Sequence, residues 1–125
     1  MNRQHWLACV IVVAVTLSLR GSIAHAADDS AMAKARENYQ SYCAKCHGEQ
    51  GKGDGPGAAM LKPKPRDYTD CKVMQNKKDE ELIKVISDGG ESIGMSADMQ
   101  PWGGTLSADE IRDLVKFVRG FCKQP

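Results

Sequence analysis

Cys43-Ala44-Lys45-Cys46-His47, followed at once by Gly48, is the stretch of this 125-residue chain whose residue types and spacing could do chemistry. At about 100° per residue in a helix, Cys46 falls roughly 60° to one side of Cys43 and His47 roughly 40° to the other. Two thiols and an imidazole therefore share one face of a single turn. Thiols placed this way can bond the two vinyl groups of a porphyrin while the imidazole reaches its iron, so the C-x-x-C-H run reads as a c-type haem attachment site. Rival chemistries lack their settings. A thioredoxin-like C-x-x-C wants a βαβ context, and the flanking sequence has a helical pattern. A structural zinc site needs four nitrogen or sulfur ligands. A disulfide between Cys43 and Cys46 leaves His47 unexplained.

The rest of the chain must carry this turn to its compartment and hold it there. Residues 1–26 read as an export signal: Arg3 is the positive n-region, Trp6 to Leu19 an apolar run, and Ala24-His25-Ala26 a small-x-small cleavage site. The apolar run is short for a spanning helix. An uncleaved anchor is its rival, and no stable membrane insertion is expected once the signal is removed. Residues 27–125 then form one domain. His5 and His25 leave with the signal, so His47 becomes the single histidine of the mature chain. The 17 Lys+Arg lose Arg3 and Arg20 while the 16 Asp+Glu stay, giving a formal balance of −1. No basic stripe suggests nucleic acid. With two Trp, of which Trp6 leaves with the signal, three Tyr and two Phe the core is modest, and a buried porphyrin would enlarge it. Export implies an oxidising, periplasmic setting.

Periodicity predicts three principal helices. Ser30 to Cys46 is one, capped by Asp29 or Ser30, with Ala31, Ala35, Tyr39 and Tyr42 on one face. Lys78 to Asp88 is the second, with Asp79, Glu80 and Glu81 in its first turn and Gly89-Gly90 ending it. The third opens with the capping box Ser107-Ala108-Asp109-Glu110, and its apolar face runs Ile111, Leu114, Val115, Phe117, Val118, Phe121. Gly48 to Gly57, with five glycines, is a loop, suited to a backbone passing closely under a flat cofactor. Ala58 to Leu61 adds a short turn, and the prolines of Lys62-Pro63-Lys64-Pro65-Arg66 make that segment extended.

With no second histidine, the far side of the iron falls to a thioether. Met32 belongs to the first helix, and Met74 reads as core filler. Loop positions leave the sulfur free to approach a ring, which favours Met99, with Met95 as runner-up. Pro56 offers a carbonyl to the Nδ1 proton of His47. Arg66 is a candidate partner for a haem propionate, and the indole N–H of Trp102 could reach another.

These residues together resemble a class I, single-haem cytochrome c of the bacterial periplasmic type. The match covers about Ala33 to Phe121 and rests on four stretches. They are Tyr39…Cys43-Ala44-Lys45-Cys46-His47-Gly48, the Gly-Asp-Gly-Pro loop at 53–56, Met99-Gln100-Pro101-Trp102-Gly103-Gly104, and Leu106-Ser107…Glu110-Ile111…Val115…Phe117-Val118-Arg119. The resemblance implies an all-α cytochrome c fold, three to four helices around one haem c held covalently by Cys43 and Cys46. The first and last helices would cross near Ala35/Tyr39 and Leu114/Phe117. It also implies His47 and Met99 as axial ligands, and Pro56 as acceptor for His47. Gln100 stands between Met99 and Pro101, a departure that keeps Met95 open. Cys71 and Cys122 are extra to the fold, and in an exported chain two spare thiols most simply pair.

The function implied is one-electron transfer by a monomer in transient contact with redox partners: a membrane oxidoreductase, a terminal oxidase or an exported dehydrogenase. The alternatives are the fixed haem subunit of an exported oxidoreductase complex, and a ligand-binding or peroxidatic haem protein, which would need an open sixth position.

Overall fold

The computed structural model describes residues 26–122. All but the last residue of the expected export signal lies outside them. The chain divides into two units at Ala31/Met32. In the first, residues 26–31 are helical, so Asp29 and Ser30 are interior helical residues and not the caps expected. The second unit holds everything described below.

Its chain is α-helical over residues 32–38 (α1), then widens into a π-helical segment, Tyr39–Cys43, before a single α turn, Ala44–His47 (α2). A regular α-helix through Cys46 is thus corrected by a wider turn directly before Ala44–His47. Such π segments are frequent at functional sites. The insertion separates two demands on one helix. Ala35 and Tyr39 are both 1% exposed and face the core, whereas Tyr42 is turned out to 38% and packs instead against the Trp102 ring at 5.0 Å.

Beyond α2 come a 3-10 turn at Ala58–Met60, a one-turn helix α3 (Cys71–Met74), α4 (Asp79–Asp88), a second 3-10 turn at Gly90–Ile93, and α5 (Ala108–Arg119). No strand occurs among the described residues, and the architecture is all-α. Helix α4 forms as its sequence requires: three acids sit in the first turn, Leu82 and Ile86 are buried one turn apart, and Gly89 at φ 83° stops it. In α5 the Ser107 hydroxyl accepts from the Glu110 N–H, and the Glu110 carboxylate accepts from the Ser107 N–H. That reciprocal pair satisfies two of the orphan donors at the helix start. Ile111, Leu114, Val115 and Val118 form the buried stripe, with Leu114 wholly inaccessible.

The first and last helical stretches meet where the pattern of small and aromatic residues places them. Tyr39 packs on Phe117 and Phe121, each at 5.2 Å between ring centroids, and the Arg36 guanidinium lies 5.4 Å above the Phe117 ring. Asn38 reaches across to donate to the Glu110 carboxylate at 3.3 Å, so the cap of α5 is also a tie to α1. The far end of α5 is anchored by Arg119. Its guanidinium donates to the Met74 carbonyl (2.8 Å), the Lys77 carbonyl (2.5 Å) and the Asp79 carboxylate (2.7 Å). One rigid fork of donors thereby joins the end of α3 and the start of α4 to α5. Beside it the structure brings the sulfurs of Cys71 and Cys122 to 2.13 Å across 51 positions of sequence.

Candidate haem site

Helix α2 is only four residues long, so most of its carbonyls lack partners within the helix. The glycine loop supplies them. Gly53 donates to the His47 carbonyl (2.8 Å), Gly55 to Cys46 (3.2 Å) and Gly57 to Lys45 (2.8 Å). Alternate residues of an extended strip thus cap three successive carbonyls of the attachment turn. A Cβ on Gly55 would run into the Lys45 and Ala44 carbonyls, and one on Gly53 into that of Pro65. The glycines thus let the loop close on the helix end. The Tyr39 hydroxyl completes the arrangement by donating to the Gly48 carbonyl at 2.7 Å.

His47 is 8% exposed. Burial holds its imidazole below the usual histidine range, opposed by a bond to the Arg66 carbonyl and aided by the nearby Arg66 charge. The ring is therefore neutral at pH 7. Its Nδ1 donates to the Arg66 carbonyl at 3.1 Å. A carbonyl only accepts, so the ring proton is on Nδ1 and the lone pair is on Nε2, the tautomer a metal-binding imidazole needs.

The acceptor is Arg66 and not Pro56. Pro56 is exposed, as Asp54 is, because Gly55 and Gly57 on either side of it are turned inward onto α2. The segment at 62–66 crosses the imidazole in its place. Arg66 thus enters the site first through its backbone, a role no side-chain reasoning would assign.

Cys43 and Cys46 are unpaired and half-buried. Burial, and secondarily the Cys46 thiol beside it, pushes the Cys43 thiol up to about 12. Both cysteines and His47 line a cavity of about 450 Å³ whose walls include Leu82, Val85 and Ile86. That volume lies within the range of cofactor sites. Met99, Met95, Arg66 and Trp102 line the same cavity. Met99 is half-buried and packed on the core, whereas Met95 is 44% exposed. Met74 also borders the cavity, 1% exposed within the core, and Met60 is 88% exposed. The donor set, the tautomer and an apolar cavity of this size fit a haem. Bound there, a haem would supply one-electron iron chemistry, and the chain would supply attachment, orientation and exclusion of water.

Sequence reasoning passed over Tyr68. Its ring stacks on His47 with centroids 4.6 Å apart and an interplanar angle of 14°, and its hydroxyl donates to Nε2 at 3.3 Å. The available signal was an aromatic residue two positions after the proline-stiffened segment, in a chain with few aromatics.

An all-helical fold built on a C-x-x-C-H turn that opens into an apolar cavity defines a c-type cytochrome domain, a haem electron carrier. The chain belongs to the family described as cytochrome c oxidase, cbb3-type, subunit III, whose model matches residues 30–118. Among solved structures it is similar to the KustC0563 c-type cytochrome, at 28% identity and a TM-score of 0.58, over 71% of this chain and 98% of that one. A tyrosine-to-phenylalanine mutant of the same cytochrome matches at 26% identity and a TM-score of 0.57, over 70% and 98%. A search of curated proteins gives no match. Among the described residues, no helix is long and apolar enough to cross a membrane.

Proposed function

We propose that the chain carries one haem c, bonded to Cys43 and Cys46 and ligated by His47 Nε2 and Met99, and passes single electrons between redox partners in the periplasm. The observation that carries this reading is the state of His47. Its proton is committed to the Arg66 carbonyl, which leaves the lone pair on Nε2, and the residue lines the same cavity as the two free thiols. A thioether on the sixth position raises the iron's potential, and a filled position leaves no site for a substrate or gas. Met99 is preferred over Met95 because it lines the cavity while packed on the core, whereas Met95 is exposed.

Removal of residues 1–26 releases the domain, and Cys71 and Cys122 form a disulfide suited to that compartment. Partners dock transiently at the cavity mouth, where Tyr42 and Met95 present apolar surface beside Lys45 and Lys64. Membership of an oxidase-subunit family supports a second arrangement, in which the domain is a fixed haem subunit of an oxidase-type complex.

Expression of the full chain with haem-attachment machinery tests the reading. A denatured polypeptide that keeps its colour on a gel, with a low-spin spectrum and a far-red sulfur-to-iron band in the ferric state, is expected. A colourless product would overturn the assignment. Carbon monoxide binding by the native reduced protein would overturn the Met ligation and favour a ligand-binding role.

A further inference from the structure

We infer that Gly53 is a positioning residue for His47. Having no side chain, it lets the Pro65–Arg66 backbone come close enough for the Arg66 carbonyl to hold the Nδ1 proton, and so it biases the haem towards the ferric form. The inference rests on the reading that His47 ligates the iron.

Gly53 is held between the two partners of that bond. Its N–H donates to the His47 carbonyl at 2.8 Å, which fixes it against the end of the attachment turn. Its φ is 70°, in the left-handed region that glycine enters without steric cost. In that conformation the side where a Cβ would stand faces the segment at 65–66. A Cβ there would run into the Pro65 carbonyl oxygen and lie 3.4 Å from the Arg66 oxygen, the atom that accepts from His47 at 3.1 Å. The clash is with backbone, so no rotation of a side chain relieves it. Two residues further on, the Tyr68 N–H donates to the Gly51 carbonyl at 2.6 Å. The loop at 51–53 therefore grips both the turn that bears His47 and the segment that accepts from it.

The direction of the bond does not depend on Nε2. A neutral imidazole that gives its Nε2 lone pair to a metal carries its proton on Nδ1, and a carbonyl can only accept. Metal binding at Nε2 therefore leaves this donor and this acceptor in their roles. A carbonyl that holds the Nδ1 proton makes the imidazole a more basic ligand, which favours the more positive, ferric state. Reduction adds one electron and moves no proton, so the bond acts on the potential directly. A methyl group at position 53 would drive the 65–66 backbone away from the ring, weaken the bond and shift the balance towards ferrous. Water admitted by a loosened loop would act the other way, because polar surroundings stabilise the more positive state. The sign of the shift thus separates positioning from a mere loss of packing.

The experiment is a spectroelectrochemical titration of the matured full chain and of Gly53→Ala, which adds one methyl group. Against a one-electron mediator of fixed potential, the variant is expected to shift about three- to tenfold towards ferrous; tenfold is about 59 mV for one electron. In the diamagnetic ferrous state the His47 Nδ1 proton of the variant should resonate upfield of its wild-type position and exchange faster with water. An unchanged balance, a shift towards ferric, or an unmoved Nδ1 proton overturns the inference. Should the variant mature poorly, the ferrous wild-type protein supplies the second measurement. A slowly exchanging Nδ1 proton at a downfield, hydrogen-bonded position is expected there, and a rapidly exchanging one overturns the inference. A colourless wild-type product would overturn the haem reading itself, whereas a coloured, low-spin Gly53→Ala with the wild-type balance overturns this inference alone.

Discussion

The Tyr39 hydroxyl donates to the carbonyl of Gly48 at 2.7 Å, linking the centre of the aromatic core to the residue that ends the attachment turn. Tyr39 is 1% exposed and packs on Phe117 and Phe121, so one side chain ties α5 both to the π segment and to the end of the C-x-x-C-H turn. Tyr39→Phe keeps the ring and removes one of the two donors to this carbonyl, which the Gly51 N–H also serves at 3.1 Å. It should lower stability by about 0.5–1.5 kcal/mol with haem still attached. Denaturant unfolding of the matured protein measures this, and an unchanged midpoint would contradict it.

Two methionines border the cavity in the same loop, and absorption spectra separate them. Met99→Ala should abolish the far-red sulfur-to-iron band while the haem stays covalently bound. Survival of the band there, with its loss in Met95→Ala, would transfer the ligand role to Met95. His47→Ala should block stable maturation, and a wild-type yield of coloured, low-spin protein would refute its role.

Cys71 and Cys122 close a long loop across the base of α3 and the end of α5, beside the Arg119 fork. In the chain-entropy model a loop of this length stabilises by about 4 kcal/mol. Cys71→Ser with Cys122→Ser should therefore lower the unfolding midpoint substantially without altering the visible spectrum. Two titratable thiols in denatured, unreduced, haem-loaded protein would show that the pair is open.

The Glu110 carboxyl is held below the usual glutamate range by the Ser107 N–H, then by the Ser107 hydroxyl and the Asn38 amide. A group whose folded value is depressed gives stability that is fully present above its unfolded value, about 4.3. That stability is lost as pH falls through the folded value. Glu110→Gln removes the ionisation, so the acid limb of its stability–pH profile should be flatter than that of the wild type. Superimposable profiles would show that the cap carries no such linkage.

Much of this molecule is local and therefore written in the chain. The attachment turn needs five consecutive residues, the α5 cap needs Ser107 and Glu110 three apart, and the buried stripe of α5 follows from a 3.6-residue repeat. Each depends on neighbours along one helix, so spacing alone specifies it. The glycine loop was also legible as a loop, because five glycines in ten residues cannot hold a helix or strand.

What folds back from a distance was not legible. The Nδ1 proton of His47 goes to Arg66 and not to Pro56, because both are loop carbonyls and only the path of the chain decides which one crosses the ring. The π segment at Tyr39–Cys43 reconciles a core-facing Tyr39 with a cavity-facing Cys43, a conflict that exists only once α5 and the cavity are in place. Tyr68 carries no motif, and its importance lies wholly in the 4.6 Å that separates its ring from His47. Sequence named the atoms that can hold a haem; the tertiary fold chose the partners around them, since hydrogen bonds and stacking are set by distances that spacing along the chain does not contain.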